Sequence, residues 1–359
     1  MRRIKTAIIG CGKIGQTHAQ ALSTLAESEF VAVCDAQLSR AQSFAEQYRV
    51  QAFDSVAEML SRADVEAVTI CTPHPLHEEP CLQAAQAGVH VLIEKPMASS
   101  LKSCDAMLEA ADKGQIKLGI VSQRRLFEPV QRMKAAIDAG KIGKPILGAF
   151  SMFSWRDQAY YQSDPWRGKW ETEGGGVLVN QSPHMLDMLQ WFMGEIDEVS
   201  GYWSNLNHPY MEVEDTALAM IRFKSGALGN VVASLSQKPG IYTKIHIHGA
   251  NGASVGVQTD TGATFVAGMS GVTEPPLNDV WTIPGEEHQL GEFEAADRQS
   301  FQTIDVATHY HALQIQDFLR SILEDRSPLV TGEEGRIVVE MFTAIYRSNE
   351  LGRPVRFPL

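Results

Sequence analysis

Three glycines near the start of the sequence have the spacing that lets a backbone turn hold a pyrophosphate group. Gly10, Gly12 and Gly15 form G-x-G-x-x-G, in which the first glycine makes a tight turn, the second admits the pyrophosphate and the third lets a helix pack against a strand. Lys13 and Ile14 open the helix, whose N–H groups and partial positive charge attract an anion. Because the motif follows an apolar strand, it predicts a dinucleotide site.

An acidic residue stands where such a site recognises a ribose. Asp35 lies 20 residues after Gly15, at the end of the next apolar run. A carboxylate there binds the adenosine ribose hydroxyls and repels a 2′-phosphate. We therefore expect NAD rather than NADP as the cofactor, with Arg40 nearby to soften the preference. The alternative is a glycine-rich turn that Asp35 only caps.

Lys95 is the first candidate for proton chemistry. It stands in Glu94-Lys95-Pro96, directly after the apolar run Val89–Ile93. Removing a hydride from a secondary alcohol also requires loss of the hydroxyl proton. A lysine whose pKa is lowered by burial and by a positively charged nicotinamide can relay that proton. The motif alone does not decide between this role and a solvated turn residue, and the Lys95–Pro96 bond is a candidate for the cis form.

His184 is the second candidate for proton chemistry. It follows Ser182 and Pro183, which predict an N-cap and the first residue of a helix. The helix dipole would keep the imidazole neutral, so that it can bind or carry a substrate proton. Asp187 lies one turn further on the same face. The run Gly174–Gly176 indicates close approach of the backbone to a ligand or another chain, although a lone histidine with a structural role is an equally good interpretation.

Aromatic rings and arginines lie between these two motifs. Sugars stack their C–H faces on aromatic rings, and arginines suit phosphate or carboxylate substituents. The residues that we expect to contact a substrate are Trp155, Arg156, Tyr160, Trp166 and Arg167. The alternative is a packing or interface loop.

Alternating strands and helices over residues 4 to 122 must position the glycine turn and Lys95. The apolar runs that predict strands are Ile4–Ile9, Phe30–Cys34, Val65–Ile70, Val89–Ile93 and Leu118–Val121. Strands that alternate with helices form a parallel sheet, which binds ligands at its carboxyl edge. The sequence therefore predicts an α/β Rossmann domain at residues 1–122.

From residue 123 onwards the pattern changes to long β-like runs separated by Gly, Asn and Ser. These runs are Pro145–Phe153, Ile196–Ser204, Thr216–Phe223, Ala227–Ser236, Thr243–Gly249 and Ala253–Gln258. Helices are expected near Pro129–Ala139, Pro183–Phe192, Tyr310–Glu324 and Glu333–Glu350, and Ala267–Ala296 is loop-rich. We expect an α+β C-terminal domain at residues 123–359 with a large open, mostly antiparallel sheet, and Arg124 at its start is expected to line the cleft between the domains.

Composition disfavours several classes of function. The 359 residues, 44% of them hydrophobic, suffice for two domains with a core of their own. The net charge of −12 disfavours binding to nucleic acid or an anionic membrane, and no segment has the ~18 apolar residues of a membrane helix. The basic start runs straight into a strand, and the five cysteines contain no CxxC pair. We expect a cytoplasmic protein with reduced thiols and no metal site.

Together these motifs resemble the glucose–fructose oxidoreductase / inositol dehydrogenase family (Gfo/Idh/MocA) over nearly the whole chain. The matching segments are Gly10–Gly15, Asp35, Cys71-Thr72-Pro73, Glu94-Lys95-Pro96, Gly174–Asp187 and Gly332-Glu333-Glu334-Gly335-Arg336. The resemblance implies a Rossmann domain, a second domain with a large open sheet, and homodimers or homotetramers formed through the outer face of that sheet.

The resemblance also implies roles for particular residues. Lys95 matches the lysine that is taken to act in proton transfer, and His184 matches the catalytic histidine of the family. The residues expected along the cofactor from this match are Thr72, Pro73, His74, His77, Glu94 and Lys95.

One position departs from the inositol dehydrogenases, which have Asp four residues before the catalytic histidine. This chain has Asn180 there, and an amide cannot accept a proton as a carboxylate can. A Lys–Asp–His relay is therefore in doubt, and Asn180 is expected to bind a substrate hydroxyl instead. The pattern around Trp166 and Asn180 looks more like members that oxidise pyranose sugars or their derivatives, often at C3.

The leading hypothesis is an NAD-dependent dehydrogenase that acts on a sugar or polyol. A second is a glycosidase that holds NAD and uses transient oxidation, elimination and re-reduction, as some relatives of this fold do. A third is a sensor of NAD or sugar without catalysis. The presence of both Lys95 and His184 argues against the sensor, which needs neither.

Overall fold

The computed structural model describes residues 2–261, 274–306 and 308–359, which form two compact units. The first unit contains Met1–Gln123 and Ala307–Val339, and the second contains Arg124–Val306 and Glu340–Leu359. Among the described residues, no helix has both the length and the apolar character needed to cross a membrane.

The first unit is built on a six-stranded parallel sheet. Its strands are β1 (Ile4–Ile9), β2 (Ser28–Cys34), β3 (Gln51–Phe53), β4 (Ala67–Ile70), β5 (His90–Ile93) and β6 (Leu118–Ile120). The order β3-β2-β1-β4-β5-β6 is that of a Rossmann sheet. Between the strands run α1 (Lys13–Thr24), α2 (Leu38–Tyr48), α3 (Val56–Arg62), α4 (Glu78–Gln86) and α5 (Leu101–Gly114). The strands are apolar and mostly buried because helices cover the sheet.

The second unit is built on an eight-stranded sheet. Its strands are β7 (Pro145–Phe153), β8 (Ile196–Ser204), β9 (Thr216–Phe223), β10 (Leu228–Ser234), β11 (Tyr242–Gly249), β12 (Ser254–Thr261), β13 (Leu277–Trp281) and β14 (Val355–Arg356). Neighbours in the order β13-β12-β11-β7-β10-β9-β8-β14 are antiparallel except for β7 and β10. The predicted fold class, a Rossmann domain followed by a mostly antiparallel open sheet, is confirmed.

The helices of the second unit are α6 (Glu128–Asp138), α7 (Gln158–Gln162), α8 (Pro183–Met193) and α9 (Gln289–Phe301). Helix α8 packs on one face of the sheet, where Leu189 and Met193 leave no room for a side chain at Gly148 of β7. Side chains of β9 alternate between buried and exposed positions, so the opposite face of this strand is exposed.

The last two helices, α10 (His309–Leu323) and α11 (Gly332–Leu351), correct the predicted division of the chain. We expected residues 123–359 to form one C-terminal domain, but residues 307–339 belong to the first unit. The Gln314 amide explains this, because it donates to the carbonyl of Ile120 and accepts from the N–H of Ser122, both at 2.8 Å. Arg320 of α10 also donates to the buried Glu27 at 2.8 Å.

The loop-rich stretch expected at Ala267–Ala296 is also corrected where the structure describes it. Residues 274–296 contain β13 and the first part of α9, whereas 267–273 lie outside the described residues. Helix α9 was not predicted because it has no apolar stripe: Asp297 is its only buried residue. The short β3 and α3 were likewise not predicted.

All five cysteines are buried and free, as expected of small apolar residues in a core. Burial raises the pKa of Cys81 to about 12, and the same cause acts on Cys104. The thiols of these two residues therefore stay protonated at neutral pH.

Candidate active site

The glycine turn of the first unit has the clearances that a pyrophosphate needs. Gly10 has φ +102°, and a Cβ there would lie 2.7 Å from the backbone of Cys71 and Thr72. A Cβ on Gly15 would lie 2.2 Å from the carbonyl oxygen of Gly10, whereas one on Gly12 would meet nothing within 4 Å. The turn thus packs tightly at its first and third glycines and is open at the second.

Helix α1 begins at Lys13 directly after this turn, and Gly12 offers its first N–H groups no side-chain cap. Such a helix start binds an anion. Ile14 is half-buried behind the exposed Lys13. These residues therefore fit the pyrophosphate of a dinucleotide.

Asp35 follows β2 and is held beside the turn by backbone donors. Its Oδ2 accepts from the N–H of Cys11 and its Oδ1 from that of Gln37, both at 2.9 Å. The carboxylate is half-buried, and Arg40 is exposed on α2. This position fits recognition of a ribose.

The loop after β4 carries the predicted cofactor residues Thr72, Pro73, His74 and His77. Thr72 and Pro73 are half-buried, and His74 is buried. The His77 ring is buried between two carbonyl oxygens, with Nε2 2.9 Å from that of Thr72 and Nδ1 3.1 Å from that of Met97. Burial lowers the pKa of His77. His77 therefore holds the loop in place through hydrogen bonds to its backbone, a structural role that the sequence did not reveal.

Lys95 follows β5 at the carboxyl edge of the sheet and is half-buried, and its bond to Pro96 is cis. The Lys95 N–H donates to Glu94 Oε2 at 3.1 Å. The other oxygen, Oε1, lies 2.8 Å from His18 Nε2 and 3.9 Å from His311 Nε2. Lys95 thus stands beside a buried group of two histidines and a carboxylate.

The charges of this group follow from its geometry. Burial alone would lower the pKa of His18, but Cys71 and the Glu94 carboxylate outweigh it and raise that pKa to about 10. Burial would raise the pKa of Glu94, yet the His18 hydrogen bond brings it to about 2. Burial lowers the pKa of His311 to about 4. His18 and Glu94 therefore form a buried ion pair beside a neutral His311.

The ligand atoms of His18, Glu94 and His311 lie within 4.8 Å of one another, which makes the three side chains a candidate metal site. However, ligand atoms around a tetrahedral zinc lie about 3.3 Å apart. The 2.8 Å between His18 and Glu94 is instead a hydrogen-bond distance. The sequence missed His18 and His311 because they lie far apart along the chain.

In the second unit, His184 lies in the first turn of α8 and is 7% exposed. Ser182 is the N-cap residue and Pro183 the first residue of the helix, as predicted, although the Ser182 side chain makes no hydrogen bond to the helix start. A π-helical turn, Val177–Gln181, precedes Ser182 and leads directly into α8. Asp187, one turn after His184, forms a buried two-bond pair with Arg125.

Tyr160 is the centre of a polar cluster that contains most of the predicted substrate residues. Its hydroxyl accepts from Arg167 at 2.6 Å, from Gln181 at 3.1 Å and from Asn180 at 3.3 Å. Burial raises the pKa of Tyr160, and the two nearby arginines, Arg167 and Arg156, partly offset this. The structure thus brings to the Tyr160 hydroxyl groups that lie up to 21 residues away along the sequence.

The guanidinium groups of the cluster stack on its rings. Arg167 lies 4.4 Å from the ring centres of both Tyr160 and Trp166, and Arg156 lies 5.3 Å from that of Tyr160. Trp155 lies beside this group, with Lys238 above its ring. We define the Tyr160 cluster by seven residues: Trp155, Arg156, Tyr160, Trp166, Arg167, Asn180 and Gln181.

The contacts of Glu173 and Arg124 bear on the residues that were predicted to bind the substrate. Glu173, which the sequence did not single out, is buried and accepts from the Asn180 amide and from the N–H of Gly168. The Asn180 NH₂ is therefore engaged within the protein. Arg124 donates to Thr259 Oγ1 at 2.9 Å and lies beside Met185.

A Rossmann sheet with this glycine turn and Asp35, joined to a unit with a large antiparallel sheet, defines a dinucleotide-binding oxidoreductase. Residues 4–121 match the oxidoreductase family with an NAD-binding Rossmann fold, and residues 130–255 match the GFO/IDH/MocA C-terminal domain. The chain belongs to the Gfo/Idh/MocA oxidoreductase family, and its cofactor is NAD.

Individual relatives cover almost the whole chain. It is 28% identical to scyllo-inositol 2-dehydrogenase (NAD(+)) of Bacillus subtilis (strain 168), over 99% of this chain and 96% of that protein. It is 27% identical to myo-inositol 2-dehydrogenase of Thermotoga maritima, over 98% of each. The solved WlbA dehydrogenase from Bordetella pertussis, in complex with NADH and UDP-GlcNAcA, is 28% identical with a TM-score of 0.87 and covers 100% of this chain and 99% of its own.

Proposed function

We propose that this enzyme transfers a hydride between NAD and a secondary hydroxyl carbon of a pyranose sugar, a sugar derivative or an inositol. The observation that carries the proposal is the Tyr160 cluster, which combines aromatic faces, amides and guanidinium groups. A polyhydroxylated ring needs such a surface, with apolar faces for its C–H groups and polar groups around its edge. The named activities of the inositol dehydrogenase relatives support the same substrate class.

The second unit also supports a substrate with an acidic substituent. Arg156 and Arg167 lie within the Tyr160 cluster, and guanidinium groups suit carboxylates and phosphates. The WlbA relative was solved with UDP-GlcNAcA. A sugar derivative that carries a carboxylate or phosphate is therefore included in the proposal.

We propose that Lys95 and His184 handle the hydroxyl proton. NAD, when bound, supplies the hydride acceptor. The Lys95 amine takes the proton of the reacting hydroxyl, so that the carbinol becomes a ketone as its hydride leaves. The His184 imidazole at the start of α8 orients that hydroxyl by a hydrogen bond. Lys95 and His184 belong to different units, and their convergence on one hydroxyl carbon stays a prediction.

Asp35 supports a preference for NAD over NADP. Its carboxylate is fixed beside the glycine turn by two backbone N–H groups. A 2′-phosphate on the adenosine ribose would meet this negative charge. Arg40 is exposed on α2, and its positive charge suits a phosphate, so it softens the preference without removing it.

We also propose that the enzyme forms homodimers or homotetramers through the exposed face of the second sheet. Large apolar side chains point outward from three neighbouring strands: Tyr202 is 69% exposed, Met220 68%, Leu228 50% and Leu218 48%. Tyr202 and Leu218 are direct cross-strand partners. Several large apolar side chains exposed on one sheet face are typical of a protein interface.

A screen of the purified protein with NAD and a panel of pyranoses, uronic acids and inositols tests the proposal. We expect NADH absorbance to appear with one class of ring and to depend on both partners. Cleavage of a glycosidic bond without net NADH release would favour the glycosidase instead. Binding of NAD and sugar without either reaction would favour the sensor, and both results would refute the proposed dehydrogenase.

A further inference from the structure

A buried carboxylate binds the turn that precedes His184. No sequence motif indicated this residue. Glu214 is fully buried two residues before β9. Its Oε2 accepts from the N–H of Gly176 at 2.8 Å, and its Oε1 accepts from the N–H of Leu178 at 3.0 Å and from the Tyr346 hydroxyl at 2.8 Å. The carbonyl oxygen of Glu214 also accepts from Val177 at 3.0 Å. One residue thus binds three consecutive N–H groups.

This contact explains the glycine run, which we had expected to face a ligand or another chain. A Cβ on Gly176 would lie 1.9 Å from the carbonyl oxygen of Glu214. A Cβ on Gly175 would lie 2.2 Å from the Tyr346 hydroxyl oxygen. The two glycines therefore let this segment approach Glu214 and Tyr346 of the same unit.

The fastened segment leads directly to two of the residues proposed to act on the substrate. The N–H of Asn180 donates to the carbonyl of Gly176 at 2.9 Å, and that of Ser182 donates to the carbonyl of Val177 at 2.9 Å. Helix α8 starts at the next residue, and His184 is in its first turn. A shift of Gly176 and Val177 would therefore move Asn180 and the start of α8 with them.

We propose that Glu214 and Tyr346 form a clasp that holds the turn Val177–Gln181 in the position from which Asn180 and His184 act. Both are positioning residues, since they reach the substrate only through the turn. The inference rests on the proposed function for the roles of Asn180 and His184. The clasp itself rests on the four hydrogen bonds to Glu214 and the two glycine contacts.

The clasp depends on the charge of Glu214. The ionised carboxylate accepts all three side-chain bonds, whereas a protonated one loses an acceptor position. Burial raises the pKa of Glu214 to about 7, and the bonds from Leu178, Gly176 and Tyr346 hold it from rising further. The other ionisable groups facing the clasp are Tyr346 on α11, Tyr161 on α7 and Glu173 before the glycines. A loosened turn that leaves Glu214 buried withdraws the N–H donors that favour the ionised carboxylate, so the pKa of Glu214 is higher in that state. Protonation therefore favours this loosened state, and acidification below neutral pH should loosen the turn.

Two substitutions separate the clasp from general stability. Tyr346→Phe removes one donor and keeps the ring among Trp170, Trp203 and Phe342. Because the lost bond favours the ionised carboxylate, the pKa of Glu214 rises, and the acidic limb of the kcat profile should move up by about one pH unit. Glu214→Gln should lower kcat roughly 10- to 100-fold, with a smaller change in KM, and should remove that limb.

Tyr242→Phe is the matched control, because Tyr242 lies in the same unit and packs edge-on against Phe153. We expect it to keep the wild-type profile. Wild-type pH profiles in both Tyr346→Phe and Glu214→Gln would overturn the positioning role.

Hydrogen exchange, followed by mass spectrometry, tests the clasp without any substrate. We expect the peptide that covers residues 174–182 to lose protection, after correction for intrinsic exchange, as the pH falls below about 7. Glu214→Gln should lose this protection at every pH. Protection that is independent of pH and equal in both proteins would overturn the clasp. If the wild type oxidises no sugar, the proposed function fails while this measurement still decides the clasp.

Discussion

Replacement of Asp187 by asparagine should destabilise the second unit far more than loss of a surface ion pair. Arg125 Nε lies 2.7 Å from Asp187 Oδ2, and Arg125 Nη2 lies 2.6 Å from Oδ1. The two side chains are only 1% and 4% exposed, and the guanidinium lies 4.8 Å from the centre of the Trp191 ring. Asparagine keeps one acceptor oxygen but removes the negative charge that the buried guanidinium of Arg125 faces.

The size of the effect follows from this burial. Removing one partner of a buried ion pair costs about 3–5 kcal/mol, because the remaining charge stays out of water. Since asparagine still accepts one hydrogen bond, we expect a loss of about 3 kcal/mol in the free energy of unfolding. Glu294→Gln is the matched control, because its partner Arg298 is one turn away and both side chains are about half exposed. That change should cost less than about 0.5 kcal/mol.

Tryptophan fluorescence during unfolding in denaturant measures the free energy of unfolding of the second unit in both variants. All six tryptophans lie between residues 155 and 281, within the second unit. The signal therefore follows unfolding of the unit that contains Arg125 and Asp187. A loss below about 1 kcal/mol in Asp187→Asn, equal to that in the control, would refute the argument from buried charge.

Three further predictions concern the cofactor site, a buried ion pair and the exposed sheet face. Asp35→Ser should raise the kcat/KM ratio of NADP to NAD about tenfold or more, because the repelling carboxylate is gone, and an unchanged ratio would remove Asp35 from cofactor selection. Against the effect of burial, the hydrogen bond from His18 lowers the pKa of Glu94 from 4.5 to about 2, and Cys71 together with Glu94 raises the pKa of His18 from 6.5 to about 10. The pair therefore stabilises fully between pH 4.5 and 6.5 and is lost as the pH rises towards 10 or falls towards 2. Calorimetry should accordingly show the largest difference in Tm between wild type and Glu94→Gln inside that interval, and a difference independent of pH would contradict the ion pair. Tyr202→Lys should shift the sedimenting species to a smaller size with unchanged circular dichroism, whereas an unchanged oligomer would exclude this face as the interface.

Local patterns were sufficient to predict the main elements of both units. Strands β7, β8 and β9 agree with the sequence prediction to the residue, because each is a β-like run bounded by residues that favour turns. The glycine turn and Asp35 were likewise predictable, since their roles depend on neighbours in the same βαβ unit.

Contacts between distant segments could not be predicted in the same way. The pattern of α10 shows that the helix has an apolar face, but it does not show which sheet that face covers. Glu214 and Glu173 are single acids in ordinary sequence, and only the folded unit shows that they are buried. The periodicity of a sequence indicates which side of a helix or strand is exposed. The burial of these two acids depends instead on the turn that packs over them, and periodicity does not indicate it.

The role of Lys95 in proton transfer is tested most directly by Lys95→Arg, measured beside Lys95→Met. Arginine keeps the positive charge but cannot release a proton near neutral pH. With the sugar identified by the NADH screen, we predict that both variants bind NAD within a few-fold of wild type and lose turnover by roughly 10²- to 10⁴-fold. Turnover by Lys95→Arg at the wild-type rate would contradict the account.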